Sequence, residues 1–85
     1  MTVFVRVFLK EGVLDPQGKA INDALHRLGY GQVTEVRAGK IFRLEMQGAD
    51  PAGALAAARK LADQLLANPV IEDFSVELAP AGAPR

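Results

Sequence analysis

The sequence predicts an α+β domain of the split βαβ, ferredoxin-like kind. The elements run strand, helix, strand, strand, helix, strand (βαββαβ), an antiparallel sheet with both helices on one face. Three observations predict it. Apolar residues alternate at period two near both ends and in the middle of the chain. Two intervening stretches carry the 3.6-residue period of amphipathic helices. Each of those stretches opens on Asp-Pro, at Asp15-Pro16 and Asp50-Pro51, about thirty-five residues apart, so the chain divides into two similar strand–helix–strand halves.

Residues 2–10, "TVFVRVFLK", place Val3, Val5, Val7 and Leu9 on one face of a strand and Phe4, Arg6, Phe8 and Lys10 on the other. The second face carries two phenylalanines and is not cleanly polar. In residues 16–29, Ile21, Ala24, Leu25 and Leu28 recur at helical spacing. Asp15 can cap this helix, Pro16 can take its first position, and Gly29 fits its C-terminal stop. Residues 33–47 read as two strands, "QVTEVRA" and "KIFRLEMQ", in a hairpin turning near Gly39. Phe42, Leu44 and Met46 share one face of the second of these, and Ile41, Arg43 and Glu45 the other. A second helix spans about 51–67, with Leu55, Ala58, Leu61, Ala62 and Leu65 as its apolar stripe, and Asn68-Pro69 ends it. Residues 70–78 form the last strand, with Phe74, Val76 and Leu78 on its apolar face. Residues 1–79 are expected to be one domain and 80–85 a disordered tail.

With both helices on one face, the other face of the sheet stays open. Phe4, Phe8 and Ile41 are expected there, and an apolar open face is a mark of self-association. Phe4 and Phe8 are the candidate residues for it.

Composition excludes several kinds of function. The 85 residues contain no cysteine and one histidine, His26, which leaves neither a disulfide framework nor a cysteine or histidine-rich metal site. Ten acidic residues balance ten basic ones, with no basic stripe to attract nucleic acid. No apolar run approaches the roughly 20 residues that span a bilayer. The chain starts directly in a strand-like pattern without a targeting segment, so a cytoplasmic location is expected.

Catalytic constellations are scarce. Ser75 is the only serine, and nothing near it resembles a nucleophile elbow. His26 with Asp23 reads as a solvated helix face, and Glu72-Asp73 as solvated edge charges pointing to opposite faces. Two stretches stand out as contact sites. In "VLDPQGKAI", Gly18 falls in the first helical turn, where glycine costs roughly 0.5–1 kcal/mol relative to alanine. A bare backbone at that helix start is expected to admit the close approach of a neighbouring chain. A phosphate is disfavoured, because Glu11 and Asp15 flank the helix start and the loop has no arginine. In "VRAGK", Arg37 and Lys40 are either ordinary cations at a hairpin tip or a patch that docks on an acidic partner. Asp15, Gln17, Gly18, Arg37 and Lys40 are therefore the candidate interface residues.

Three motifs, "LKEGVLDPQGKAI", "VTEVRAGKIFRLEM" and "LLANPVIEDFSVEL", resemble the PurS family, the small subunit of phosphoribosylformylglycinamidine synthase, in the same order and spacing over residues 2–78. The resemblance implies a subunit of a complex in de novo purine synthesis. That complex converts formylglycinamide ribonucleotide, glutamine, ATP and water to the formylglycinamidine ribonucleotide, glutamate, ADP and phosphate. It further implies a large synthetase subunit that holds ATP and Mg, a glutaminase subunit, and a small subunit that bridges them, helps retain ammonia and carries no catalytic group or cofactor of its own. A homo-oligomer, dimer or tetramer, is also implied. A regulatory module of the ACT kind, binding amino acids between paired domains, is the alternative on this fold, since "EGVLDPQG" can mimic its turn.

Overall fold

The structure is a computed structural model that describes residues 1–48 and 50–80. Strand β1, Thr2–Leu9, lies at the centre of a three-stranded antiparallel sheet between β2, Gly39–Glu45, and β3, Glu72–Leu78. The register follows from the alternation. Val5 stands opposite both Phe42 and Val76, Val3 opposite Leu44 and Leu78, and Val7 opposite Phe74. One face is thereby wholly apolar at its centre, and Val3, Val5 and Val7 are 0–1 % exposed.

Helix α2, Pro51–Leu61, covers that face. Ala54 and Ala58 are its buried positions, Ala62 just past its end continues them at the same four-residue spacing, and their small side chains let the helix approach the valines closely. The expected stripe included Leu65, which is instead 81 % exposed. A π-helical turn, Ala62–Leu66, is the cause. Ala67 donates its N–H to Ala62 O across five residues (2.9 Å). The extra residue in the turn swings Leu65 out, while Leu66 packs on the core and Ala67 is buried.

Helix α1, Pro16–Arg27, begins and ends as its sequence requires. Asp15 caps it, and Pro16 occupies the first turn. At the other end Gly29 takes φ +98°, with Gly29 N donating to His26 O and Tyr30 N to Leu25 O, the paired bonds of a Schellman stop. The α+β class and antiparallel sheet are as expected, but two details of the expected fold do not hold.

First, α1 does not share the covered face of the sheet. Gly18 is its buried residue, while Ile21 and Leu28 remain 41 % and 73 % exposed. Second, residues 33–38 form no fourth strand in this sheet, and Gly39 is no hairpin turn. Those residues run back along α1 in the opposite direction. Ala38 N donates to Asp15 Oδ2 (2.8 Å), Val36 O lies against Gly18, and the His26 Nε2–H donates to Val33 O (2.7 Å). The stretch is extended. Asp15 to His26 rises about 16 Å as helix, and five steps at strand spacing cover the same length. Helix and extended stretch together make an arm beside the sheet. The radius of gyration is accordingly 15.9 Å, against about 12 Å for a compact domain of this length, and the longest dimension is 48 Å.

The expected tail at 80–85 lies outside the described residues, except for Pro80.

Candidate functional site

The end of the sheet where β1 leaves and β2 and β3 begin gathers most of the predicted interface residues. Asp15 organises it. One carboxylate oxygen accepts from Gly18 N (2.9 Å) and the other from Ala38 N (2.8 Å). A single side chain thus caps α1 and fastens the start of β2 to it. These two backbone bonds, first Gly18 and then Ala38, hold the Asp15 carboxyl below its ordinary pKa, and the Arg37 charge acts in the same direction.

Arg37 stands at the junction between the arm and β2 rather than at a hairpin tip. Its guanidinium donates to Leu9 O and Lys10 O (both 3.1 Å), closing the loop that follows β1. Lys40 pairs with Glu72 (3.6 Å) and sits 6.0 Å from the centre of the Phe42 ring. Lys10 pairs with Asp73 (3.2 Å). Glu72 and Asp73, expected as solvated edge charges, thus tie β3 to the other strands. Neither tie was visible from local spacing, since the partners lie more than thirty residues apart in the chain.

Asp15, Gln17 and Lys40 line a shallow depression of about 260 Å³ with Ala38 and Glu72. Arg37 lines a neighbouring one of about 370 Å³. The predicted residues therefore meet, but in different roles. Gln17 and Lys40 are exposed, whereas Asp15 and Gly18 are buried. A Cβ on Gly18 would stand 2.2 Å from Val36 O and 2.6 Å from Asp15 Oδ2. What approaches the Gly18 backbone is the arm of its own chain, so the expectation that a bare Gly18 admits a neighbouring chain is corrected.

The open face of the sheet carries Thr2, Phe4, Arg6 and Phe8, with Ile41 and Arg43 on one side and Ser75 and Glu77 on the other. Phe8 is 42 % and Ile41 61 % exposed. Phe8 lies over Gly39, where a Cβ would meet its ring at 2.6 Å, which is why glycine begins β2. Arg6 pairs with Glu77 across this face, and Thr2 Oγ1 donates to Glu45 (2.9 Å). It is an apolar surface with charged pairs set into it.

Among the described residues no cluster of three His, Asp or Glu side chains could hold a metal ion. No described helix is long and apolar enough to cross a membrane. The arrangement presents surfaces, and its fixed groups are engaged in holding strands together.

Comparison with known proteins gives a consistent result. The family model described as PurS, phosphoribosylformylglycinamidine (FGAM) synthase, matches residues 2–80. The phosphoribosylformylglycinamidine synthase subunit PurS of Bacillus subtilis (strain 168) is 43 % identical over 76 residues, covering 89 % of each chain. The structure of B. subtilis PurS in its C2 crystal form superposes with a TM-score of 0.76 at 42 % identity, over 93 % of this chain and 98 % of that one. A chain in the structure of PurLQS from Thermotoga maritima gives a TM-score of 0.80 at 29 % identity, over 92 % and 96 %.

Proposed function

The chain belongs to the PurS family, and from that premise we propose that it bridges the synthetase and glutaminase subunits of phosphoribosylformylglycinamidine synthase while ammonia passes between them. It is the PurS subunit of that enzyme, a glutamine-dependent, ATP-using ligase of purine biosynthesis. The observation that carries this reading is the family match over residues 2–80, which takes in every element of the fold. The ACT-like alternative draws no support from the comparisons.

The finer assignments rest on the same premise. ATP and Mg belong to the large subunit, and the catalytic nucleophile to the glutaminase; this chain contributes surface. The complex works in the cytoplasm, and residues 1–79 act as one domain. The exposed members of the sheet-end cluster, Gln17 and Lys40, are docking contacts for the other subunits. Asp15, Gly18 and Arg37 shape that surface from beneath through their bonds to Ala38, Leu9 and Lys10. Phe4 and Phe8 take part in self-association across the open face, where burial of exposed phenylalanine surface is favourable.

Reconstitution tests the reading. The synthetase and glutaminase subunits are assayed with and without this chain, once with glutamine and once with ammonium as nitrogen source. Omission should depress the glutamine-driven rate far more than the ammonium-driven rate. Equal glutamine-driven rates with and without the chain would overturn the bridging role.

A further inference from the structure

We propose that the turn joining α2 to β3, residues 68–71, together with Leu65 of the π-helical turn, is a docking surface for another subunit of the synthase, one that sets a lysine or arginine beside an apolar hollow. This rests on the bridging role of the preceding reading and names a surface through which that role acts.

The connection exposes apolar side chains in a fixed frame. Leu65 and Val70 are 81 % and 79 % exposed, the two most open large apolar side chains among the described residues, and Ile71 is 39 % exposed. A regular α-helical continuation would carry Leu65 on the buried stripe, and the π-helical turn puts it outside. Such π turns gather at functional sites. The turn that follows is held from within by Asn68. Its side-chain oxygen accepts from Val70 N (3.0 Å), and its carbonyl accepts from Ile71 N (3.1 Å) and Glu72 N (2.7 Å). Asn68 N donates to Glu72 Oε1 (2.7 Å), and Ile71 O accepts from Lys10 N (2.8 Å). Pro69 has no N–H to give. Every backbone donor from 68 to 72 is thus engaged inside the chain, and what the turn offers outward is apolar side chain. Its geometry is set before any partner arrives, which lowers the entropy cost of binding.

Charge selects the partner. Beside the turn lies a hollow of about 200 Å³, with Pro69 and Phe74 in its wall and Asp63, Glu72 and Asp73 set against one cation, Lys10. Glu72 is committed to Asn68 N and Lys40. Asp73 pairs with Lys10 and still keeps 70 % of its side chain open. Asp63 is exposed and has no ion pair among the described residues. An acidic hollow next to an apolar tip fits a basic side chain whose alkyl stem runs along Pro69 and Phe74 while its head meets Asp63. The same carboxylates repel an acidic surface. They also disfavour a second copy here, since a two-fold contact through this patch would set the acidic hollow against its own image.

Binding measurements test this. The full-length chain is titrated separately against the purified synthetase and the purified glutaminase subunit at low and moderate salt, with sedimentation and thermal melts of the free chain alongside. Val70→Ser should weaken binding to one of the two subunits about 10–100-fold. Leu65→Ser, a change in a different turn, should weaken binding to the same subunit. Asp63→Lys should weaken it as well and flatten its salt dependence. All three positions are exposed, so the melting temperature and sedimentation of the free chain should stay at the unmodified values. If Val70→Ser and Leu65→Ser bind both subunits as the unmodified chain does, docking proceeds elsewhere and the proposal is overturned. If Asp63→Lys tightens binding, the partner's rim is acidic and the chemistry assigned to it is wrong. If Val70→Ser changes only the sedimentation of the free chain, the turn is a contact between copies, which overturns the proposal too. If the unmodified chain binds neither subunit, the bridging reading itself fails.

Discussion

Gly18→Ala should destabilise this protein, although glycine-to-alanine in a helix ordinarily stabilises. The two Asp-Pro starts allow a paired test. "DPQG" and "DPAG" each put glycine three residues after the capping aspartate, Gly18 in α1 and Gly53 in α2. In either helix, alanine relieves a propensity cost of about 1 kcal/mol. What the new methyl group meets decides the sign. At Gly18 it would stand 2.2 Å from Val36 O, a backbone atom of a stretch held by Asp15 and His26. It would also press on Asp15 Oδ2 at 2.6 Å, and that carboxylate is fixed by two backbone bonds. Nothing there yields without giving up a hydrogen bond. Overpacking of this kind costs typically about 1–3 kcal/mol, which outweighs the helix gain in most of its range and leaves a net loss of up to about 2 kcal/mol. At Gly53 the close contact is the Asp50 carboxylate, which makes no cap bond and can rotate away. Gly53→Ala should therefore gain about 0.5–1 kcal/mol. At about 4–8 °C per kcal/mol for a domain this small, thermal melts at one fixed protein concentration should separate the two variants by roughly 10 °C, with Gly18→Ala below the unmodified protein and Gly53→Ala above it. A Gly18→Ala protein that melts at or above the unmodified one would refute the claim that the arm is packed against this helix start.

Asp15→Ala should lower the melting temperature more than Asp50→Ala, because Asp15 accepts two backbone N–H bonds and Asp50 makes no cap bond; equal losses in thermal melts would count against the Asp15 tie. The Asp15 carboxyl is held below its ordinary value by those bonds, so its contribution is fully present above about pH 4 and is lost as pH falls through the lowered pKa. Melts across pH 2–5 should show a steeper acid decline in the unmodified protein than in Asp15→Ala, and parallel curves would contradict this. Ala58→Leu inserts three carbons where α2 meets β1 at a fully buried position, and chemical denaturation should report a loss of about 1–3 kcal/mol. Phe4→Lys with Phe8→Lys should shift the protein toward monomer in sedimentation while leaving the far-ultraviolet circular dichroism unchanged, since both lie on the open face.

By itself, the sequence determined whatever depends on neighbours a few residues away. Alternation of Val3, Val5 and Val7 specified a buried strand face, because successive side chains leave a strand on opposite sides. Asp15, Pro16 and Gly29 marked the ends of α1 through a cap bond, a fixed φ and a positive φ. Phe42 and Leu44 could be assigned to one face and Ile41 to the other before any pairing was known. The family was also legible, since its motifs are contiguous stretches. What only the tertiary structure decided is where those pieces meet. Residues 33–38 have a strand's composition, and composition cannot say which edge they join; the Asp15 bond to Ala38 and the contact of Val36 O with Gly18 hold them along α1. The Leu65 and Leu66 positions both fit a helical stripe, and one added residue in a π turn chose Leu66 for the core. Gly18 announced a close approach without revealing what approached, and Arg37 announced a cation without its carbonyl partners at Leu9 and Lys10. In each case the deciding contact joins residues brought together by the folded chain, and such contacts leave no periodic trace in the sequence that makes them.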